Sequence, residues 1–158
     1  MKRHLNLRTA ITVGCLVTLV AVGIAAAQIA SKVGSGDVVA DRQRLMKLNG
    51  ASWADAQAKF KAGNIEAIAV NAETMAIIAT HIPTLFPQGS LTEKSNAKPE
   101  IWEKRPEFES AAQNLQSWAE KLRDTAKTKD AAATEPVMKD FGRQACGACH
   151  TPFRKPLQ

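Results

Sequence analysis

The 158-residue sequence has no tyrosine, few aromatic residues and only three cysteines: Cys15, Cys146 and Cys149. Three cysteines are too few for the disulfide framework of a small secreted domain. No stretch alternates apolar and polar residues convincingly with period two, whereas alanine and other helix formers are abundant. The length suggests one domain, and the composition predicts that this domain is all-α.

The sequence also lacks the common signatures of catalysis and of nucleic-acid binding. No nucleophile–base pair, carboxylate dyad or phosphate loop stands out, so we do not expect an enzyme. The formal net charge is +6, but the lysines are spread along the chain and no aromatic residues interleave with a basic patch. This pattern argues against a nucleic-acid partner.

The first 27 residues differ in kind from the rest. Residues 1–8 carry three basic residues and no acidic one, residues 9–27 are almost wholly apolar, and three alanines precede Gln28. This order is typical of a cleaved secretory signal peptide, which predicts a mature chain of residues 28–158. The alternative is a retained membrane anchor, because residues 9–27 could just span a bilayer. Cys15 would leave with a cleaved signal.

Export predicts a periplasmic protein. Removal of residues 1–27 takes away three basic residues, so the net charge falls from +6 to +3. Such a mildly basic surface can orient docking to an acidic partner protein.

Apolar residues at helical spacing predict four helices in the mature chain. Proline, glycine and small polar residues predict a long loop over residues 81–99. Four helices with these connections predict an antiparallel four-helix bundle. The predicted helices cover residues 36–62, 65–80, 106–125 and 134–154, unless Pro152 ends the last of them earlier.

The sequence Cys146-Gly147-Ala148-Cys149-His150 is the attachment signature of c-type haem. Residues three apart on a helix share a face, so the two thiols can add to the two vinyl groups of one porphyrin edge. The next residue, His150, is then aimed at the iron. The motif therefore predicts one covalent haem c near one end of the bundle, with His150 as an iron ligand.

Other interpretations of the two cysteines fit less well. A thioredoxin-like pair needs a strand–helix context, and a zinc site needs four ligands. His4 and His81 are the only further histidines, and His4 falls in the predicted signal peptide. A disulfide between Cys146 and Cys149 in a haem-free bundle remains an alternative. Haem attachment agrees best with the predicted export, since bacteria attach c-type haem after export.

Four segments of the mature chain, in order, resemble the class II cytochromes c, which include cytochrome c-prime and the low-spin cytochromes c-556. The resemblance covers essentially the whole mature chain. The segments are Arg42-Gln43-x-x-Met46-Lys47-x-x-Gly50, Leu85-Phe86-Pro87-x-Gly89-Ser90, Lys98-Pro99-Glu100-Ile101-Trp102 and Cys146-x-x-Cys149-His150-x-x-Phe153-Arg154.

The resemblance implies roles for single residues. Cys146 and Cys149 would form the thioethers, and His150 would be the proximal iron ligand. Arg42 and Gln43 would reach the haem propionates, for which an always-charged guanidinium is well suited.

The resemblance also makes Met46 the deciding residue. In the low-spin relatives a methionine near this position binds iron, which favours electron transfer with redox partner proteins. In cytochrome c-prime the distal residue only packs over the haem, and five-coordinate iron binds nitric oxide or carbon monoxide. We expect an electron carrier with His150 and Met46 as axial ligands, and keep the gas-binding protein as the alternative. Relatives of the c-prime type commonly form homodimers through their first two helices.

Overall fold

The computed structural model describes residues 36–156, and the predicted signal peptide lies outside the described residues. Within this range the chain is helical, and its only β pairing is an isolated bridge between Ala97 and Arg154. The helices are α1 (Val38–Lys61), α2 (Ile68–His81), a 3₁₀ turn (Pro83–Leu85), α3 (Glu100–Glu103), α4 (Arg105–Lys127), α5 (Ala131–Phe141), a π-helical turn (Gly142–Gly147) and α6 (Ala148–Phe153). In residues 36–156 no helix has the length and apolar character needed to cross a membrane.

The four long helical segments confirm the predicted all-α four-helix bundle. The first three are α1, α2 and α4, and the fourth is the continuous run of α5, the π-helical turn and α6, here called the C-terminal helical segment. The apolar stripe of α4 is buried along its whole length, as its spacing predicts. The buried residues of that stripe are Phe108, Ala112, Leu115, Ala119, Leu122 and Ala126.

The fourth helix begins earlier than predicted. It starts at Ala131 instead of Thr134, because the Asp130 carboxylate accepts hydrogen bonds from the backbone N–H groups of Ala132 and Ala133 at 2.8 and 3.2 Å. Those groups have no partner inside the helix, and a side-chain cap satisfies them. Pro152 does not end the last helix early, since α6 continues to Phe153.

Two further boundaries differ from the prediction. The second helix begins at Ile68 and not at Ile65, because residues 65–67 form turns. The predicted loop over residues 81–99 contains a 3₁₀ turn and leads into the short helix α3, which the sequence did not predict. Phe86 in this loop is buried in the core.

The loop is tied to the C-terminal end of the chain by backbone hydrogen bonds. The N–H of Lys98 donates to the carbonyl of Phe153 at 3.0 Å, and the N–H of Lys155 donates to the carbonyl of Asn96 at 2.8 Å. The side chain of Trp102 also donates to the carbonyl of Pro87 at 2.9 Å. These bonds fix the loop next to the end of α6.

The Asp130→Ala variant should lower the free energy of unfolding by about 1 kcal/mol, because two helix N–H groups lose their acceptor. Urea unfolding followed by circular dichroism measures this change. Asp140→Ala is the matched control, since Asp140 lies on the same segment but makes only a surface ion pair with Arg143. Equal stability of the two variants would contradict the capping role.

Candidate haem site

The attachment motif lies at the junction of the π-helical turn and α6. Cys146 is in the π-helical turn, whereas Cys149 and His150 are in α6. All three side chains are half-buried, and both thiols are free. The two cysteines pack against the main hydrophobic core, so one side of the motif is buried and the other is accessible to solvent.

A residue of a neighbouring helix supports the π-helical turn. In this turn the N–H of Ala148 donates to the carbonyl of Arg143, five residues earlier, instead of to the usual fourth. The side chain of Asn114 in α4 donates to the carbonyl of Gln144 at 2.5 Å. Asn114 thus satisfies a backbone acceptor two residues before the first cysteine of the motif. The sequence did not predict this contact, although an asparagine beside the apolar stripe of α4 is a usable signal.

Burial sets the protonation states of the motif. It raises the pKa of the Cys146 thiol, and it raises the pKa of Cys149 to about 11 with a smaller contribution from the neighbouring Cys146. Burial, followed by the positive charge of Arg154, lowers the pKa of His150. At neutral pH the imidazole is therefore neutral, which is the form that binds iron.

Met46 lies on α1. It is half-buried and packs against the same core as Cys146 and Cys149. The rings of Trp53 and Phe141 stack with centroids 4.6 Å apart and an interplanar angle of 21°, which joins α1 to the C-terminal helical segment.

This stack sets the register between the two antiparallel segments. Met46 precedes Trp53 by seven residues, and Cys149 follows Phe141 by eight, which are distances of about 10 and 12 Å along the helix axes. Because the segments run in opposite directions, both offsets lead towards the same end of the bundle. Met46 and Cys149 therefore lie at nearly the same level.

The backbone of α1 lies close to other elements more than to the C-terminal helical segment. The main backbone neighbours of α1 are α2 and the 3₁₀ turn, whereas α4 packs against α2, α5, the π-helical turn and α6. Across the remaining side, α1 meets the C-terminal helical segment through side chains such as the Trp53–Phe141 pair. Cys146, Cys149 and His150 lie on the C-terminal helical segment and Met46 lies on α1, so the residues expected to hold the haem belong to two different helices.

Cys146, Cys149 and His150 do not form a metal site with other protein side chains. In the described range no group of three or more His, Cys, Asp or Glu side chains could hold a metal ion. His81, at the end of α2, is exposed. The zinc interpretation therefore gains no further ligand from the fold.

Arg42 is buried, with only 4% of its surface exposed, and it holds the long loop. Its guanidinium donates to the carbonyl of Ser90 at 2.7 Å and to the hydroxyls of Ser95 at 3.0 Å and Ser90 at 3.3 Å. It also lies over the ring of Phe86, 4.6 Å from the centroid. Burial lowers the pKa of Arg42, and the negative charge of Asp37 opposes that effect. The structure thus assigns Arg42 to the loop.

Gln43 points to the same loop. Its amide donates to the carbonyl of Lys94 at 3.1 Å, and its side chain is exposed. Contact of Arg42 and Gln43 with the haem propionates stays a prediction. The sequence missed the role of these residues in holding the loop because their partners lie about 50 positions along the chain.

A four-helix bundle that carries Cys-x-x-Cys-His in its last helical segment defines a class of c-type haem proteins. The family model described as cytochrome c' matches residues 37–154. The chain belongs to the cytochrome c' family. Its cofactor is covalently bound haem c with its iron, as in the cytochromes c of this family.

Two curated relatives illustrate the range of the family. The chain is 34% identical over 119 residues to cytochrome c-556 of Agrobacterium tumefaciens, covering 73% of this chain and 95% of the relative. It is 40% identical over 76 residues to cytochrome c-554 of Cereibacter sphaeroides, covering 46% of this chain and 48% of the relative. The match thus spans about half the length of cytochrome c-554.

Solved cytochrome c' structures share the fold. A nitric oxide complex of a variant from Alcaligenes xylosoxidans superposes with a TM-score of 0.68 at 24% identity, covering 79% of this chain and 98% of that chain. Another cytochrome c', described for its ligand-controlled dimer dissociation, gives a TM-score of 0.69 at 22% identity, covering 78% and 98%. Structures of this family thus include a dimer and a gas complex.

The Arg42→Lys variant should lower the free energy of unfolding by about 2–3 kcal/mol. An ammonium group cannot reach Ser90 and Ser95 together or stack on Phe86 with a planar face. Arg44→Lys is the matched control, because Arg44 is exposed and pairs only with Asp41 at the surface. Urea unfolding measures both variants, and a difference below about 0.5 kcal/mol between them would contradict the loop-holding role of Arg42.

Proposed function

We propose that this chain is an exported monohaem cytochrome that carries electrons in the periplasm, with His150 and Met46 as the axial iron ligands. The observation that carries the proposal is the placement of Met46. It is half-buried on α1, packs on the same core as the two cysteines, and lies at nearly the level of Cys149. The identity of 34% to a cytochrome c-556 over nearly its whole length also supports it.

In the proposed site each residue of the motif has one task. Cys146 and Cys149 would hold the cofactor by thioether bonds, and His150 would bind its iron. Met46 offers its thioether from the side of α1. Bound haem supplies a one-electron couple at its iron, and methionine–histidine ligation raises its reduction potential.

The surroundings of the site suit electron transfer. Trp53, Phe141 and Ala145 contribute apolar surface to the interior wall, which keeps water away from the cofactor. Because Cys146 and Cys149 are only half-buried, this side of the site is close to solvent, where a redox partner protein can dock. The mildly basic mature chain favours an acidic partner.

Export rests on the first 27 residues. Their basic start, apolar stretch and small residues before Gln28 support cleavage and a periplasmic location. If the segment were retained, it would instead anchor the bundle to the membrane.

A gas-binding protein is the second candidate function. The family's solved structures include a nitric oxide complex, and a methionine that only packs in the core would leave one axial position open. In that case nitric oxide or carbon monoxide would bind on the Met46 side.

Self-association is also part of the proposal. Val70 and Ile77 are exposed on α2 with 70% and 53% of their surface accessible, and Leu48 on α1 is 52% exposed. These apolar residues on the first two helices support a homodimer interface there.

Serine variants test the attachment of the cofactor. The Cys146→Ser/Cys149→Ser double variant should release all of its haem in a denaturing extraction, whereas each single variant keeps one thioether. The readout is the haem absorbance that stays with the polypeptide on a denaturing gel. Cys15→Ser is the control and should keep the full amount. Haem retained by the double variant would refute the assignment of the two cysteines.

The optical spectrum of the reduced protein tests the axial ligands. The wild type should show sharp, split α and β bands of low-spin iron. Met46→Leu keeps the side-chain volume but removes the sulfur, so it should give a broad, unresolved band. Its reduction potential should fall by on the order of 0.1 V, a fraction of the ~0.8 V range over which axial ligands set haem potentials.

The control for this test is Met75→Leu. Met75 is fully buried on α2, so its replacement repeats the packing change without a candidate ligand. It should leave the spectrum unchanged. A broad band in the wild type would favour the gas-binding function, and a low-spin Met46→Leu variant would rule out Met46 as the ligand.

A further inference from the structure

Asn49 occupies an interior position on α1 where the pattern calls for an apolar residue. Residues separated alternately by three and four positions form the face of α1 that points into the bundle. Asn49 lies between Met46 and Trp53 in this series, and both of these neighbours pack against the core. The full series is Val39, Arg42, Met46, Asn49, Trp53, Ala56 and Phe60.

The carboxamide oxygen of Asn49 is buried without a donor. This atom is buried from solvent, and no hydrogen bond reaches it within the described part of the chain. The contrast with Asn71 is clear, since the Asn71 side chain accepts from Lys59 at 2.7 Å and donates to Asp55 at 2.8 Å. A buried acceptor without a donor lowers the free energy of unfolding. Stability therefore does not explain the asparagine at position 49.

The register of the bundle places Asn49 beside the attachment motif. Asn49 precedes Trp53 by four residues, and Ala145 follows Phe141 by four. Because Trp53 stacks on Phe141 and the two segments are antiparallel, Asn49 lies at about the level of Ala145 and Cys146. It therefore faces the interior region between Met46 and the first cysteine of the motif.

We propose that Asn49 lowers the reduction potential of the haem, through the negative end of its carboxamide dipole buried beside Met46. This inference rests on the proposed function, since it assumes haem at Cys146 and Cys149. It does not require Met46 to bind iron.

The sign follows from electrostatics. Oxidation of the iron adds one positive charge to the site. A carbonyl oxygen that no donor neutralises stabilises this charge, and it does so strongly in an interior of low dielectric constant. Asn49 thus opposes the rise in potential that methionine ligation produces.

Two variants of nearly equal shape test the proposal in the haem-loaded protein. Asn49→Leu removes the dipole, and at a fixed solution potential it should raise the ratio of reduced to oxidised protein about tenfold. For a one-electron couple, a tenfold change is 59 mV. Asn49→Asp places a carboxylate at the same position and should shift the ratio in the opposite direction. Potentiometric titration with optical detection measures both variants.

Ser52→Ala is the control, because Ser52 is buried on the same helix one turn further along. It should leave the ratio within about twofold of the wild type. A potential that rises for Asn49→Leu and falls for Asn49→Asp would support the proposal. An unchanged or lower potential for Asn49→Leu would overturn the proposal. If that variant does not fold, an unchanged or higher potential for Asn49→Asp would overturn it.

The outcome is separable from that of the axial-ligand test. If Met46→Leu stays low-spin, Met46 is not the ligand, yet the Asn49 variants still report whether the carboxamide senses the iron charge. If Met46 binds iron and the Asn49 variants leave the potential unchanged, only the present inference fails.

Discussion

The stacked rings of Trp53 and Phe141 determine which residues of α1 can face the attachment motif. A slip of one helical turn would move every side chain of α1 by about 5.4 Å along its axis. Gln43 or Gly50 would then take the level of Met46, and neither offers a soft ligand for iron. The candidate axial pair therefore depends on one aromatic contact made outside the motif, at the junction where α5 passes into the π-helical turn.

A second, polar connection joins α1 to the C-terminal helical segment through the long loop. Arg42 joins α1 to the long loop through Ser90 and Ser95, and the loop is joined to the end of α6 through the bonds of Lys98 and Lys155. The loop thus links α1 to the end of α6.

The sequence predicted those features that local pattern controls. The stripes of α1 and α4 identify their helices because burial of one face requires that spacing, and the Cys146–His150 motif identifies the cofactor. The start of the fourth helix was missed because the Asp130 cap stands in a polar stretch that resembles a turn. The π-helical turn and the placement of Arg42 depend on Asn114 and Ser90, which are about 30 and 50 residues distant. No local pattern contains such partners.

The face of α1 beside the motif combines two residues that stability alone would not select. A leucine would pack at position 46 as well as methionine, and an apolar residue at position 49 would avoid an unpaired acceptor that costs about 1–3 kcal/mol. In the proposed site the thioether of Met46 would raise the reduction potential of the haem, and the carboxamide dipole of Asn49 would lower it. Because both lie within one turn of the helix, substitutions on α1 would then change the potential without touching the side of the site that carries the attachment motif.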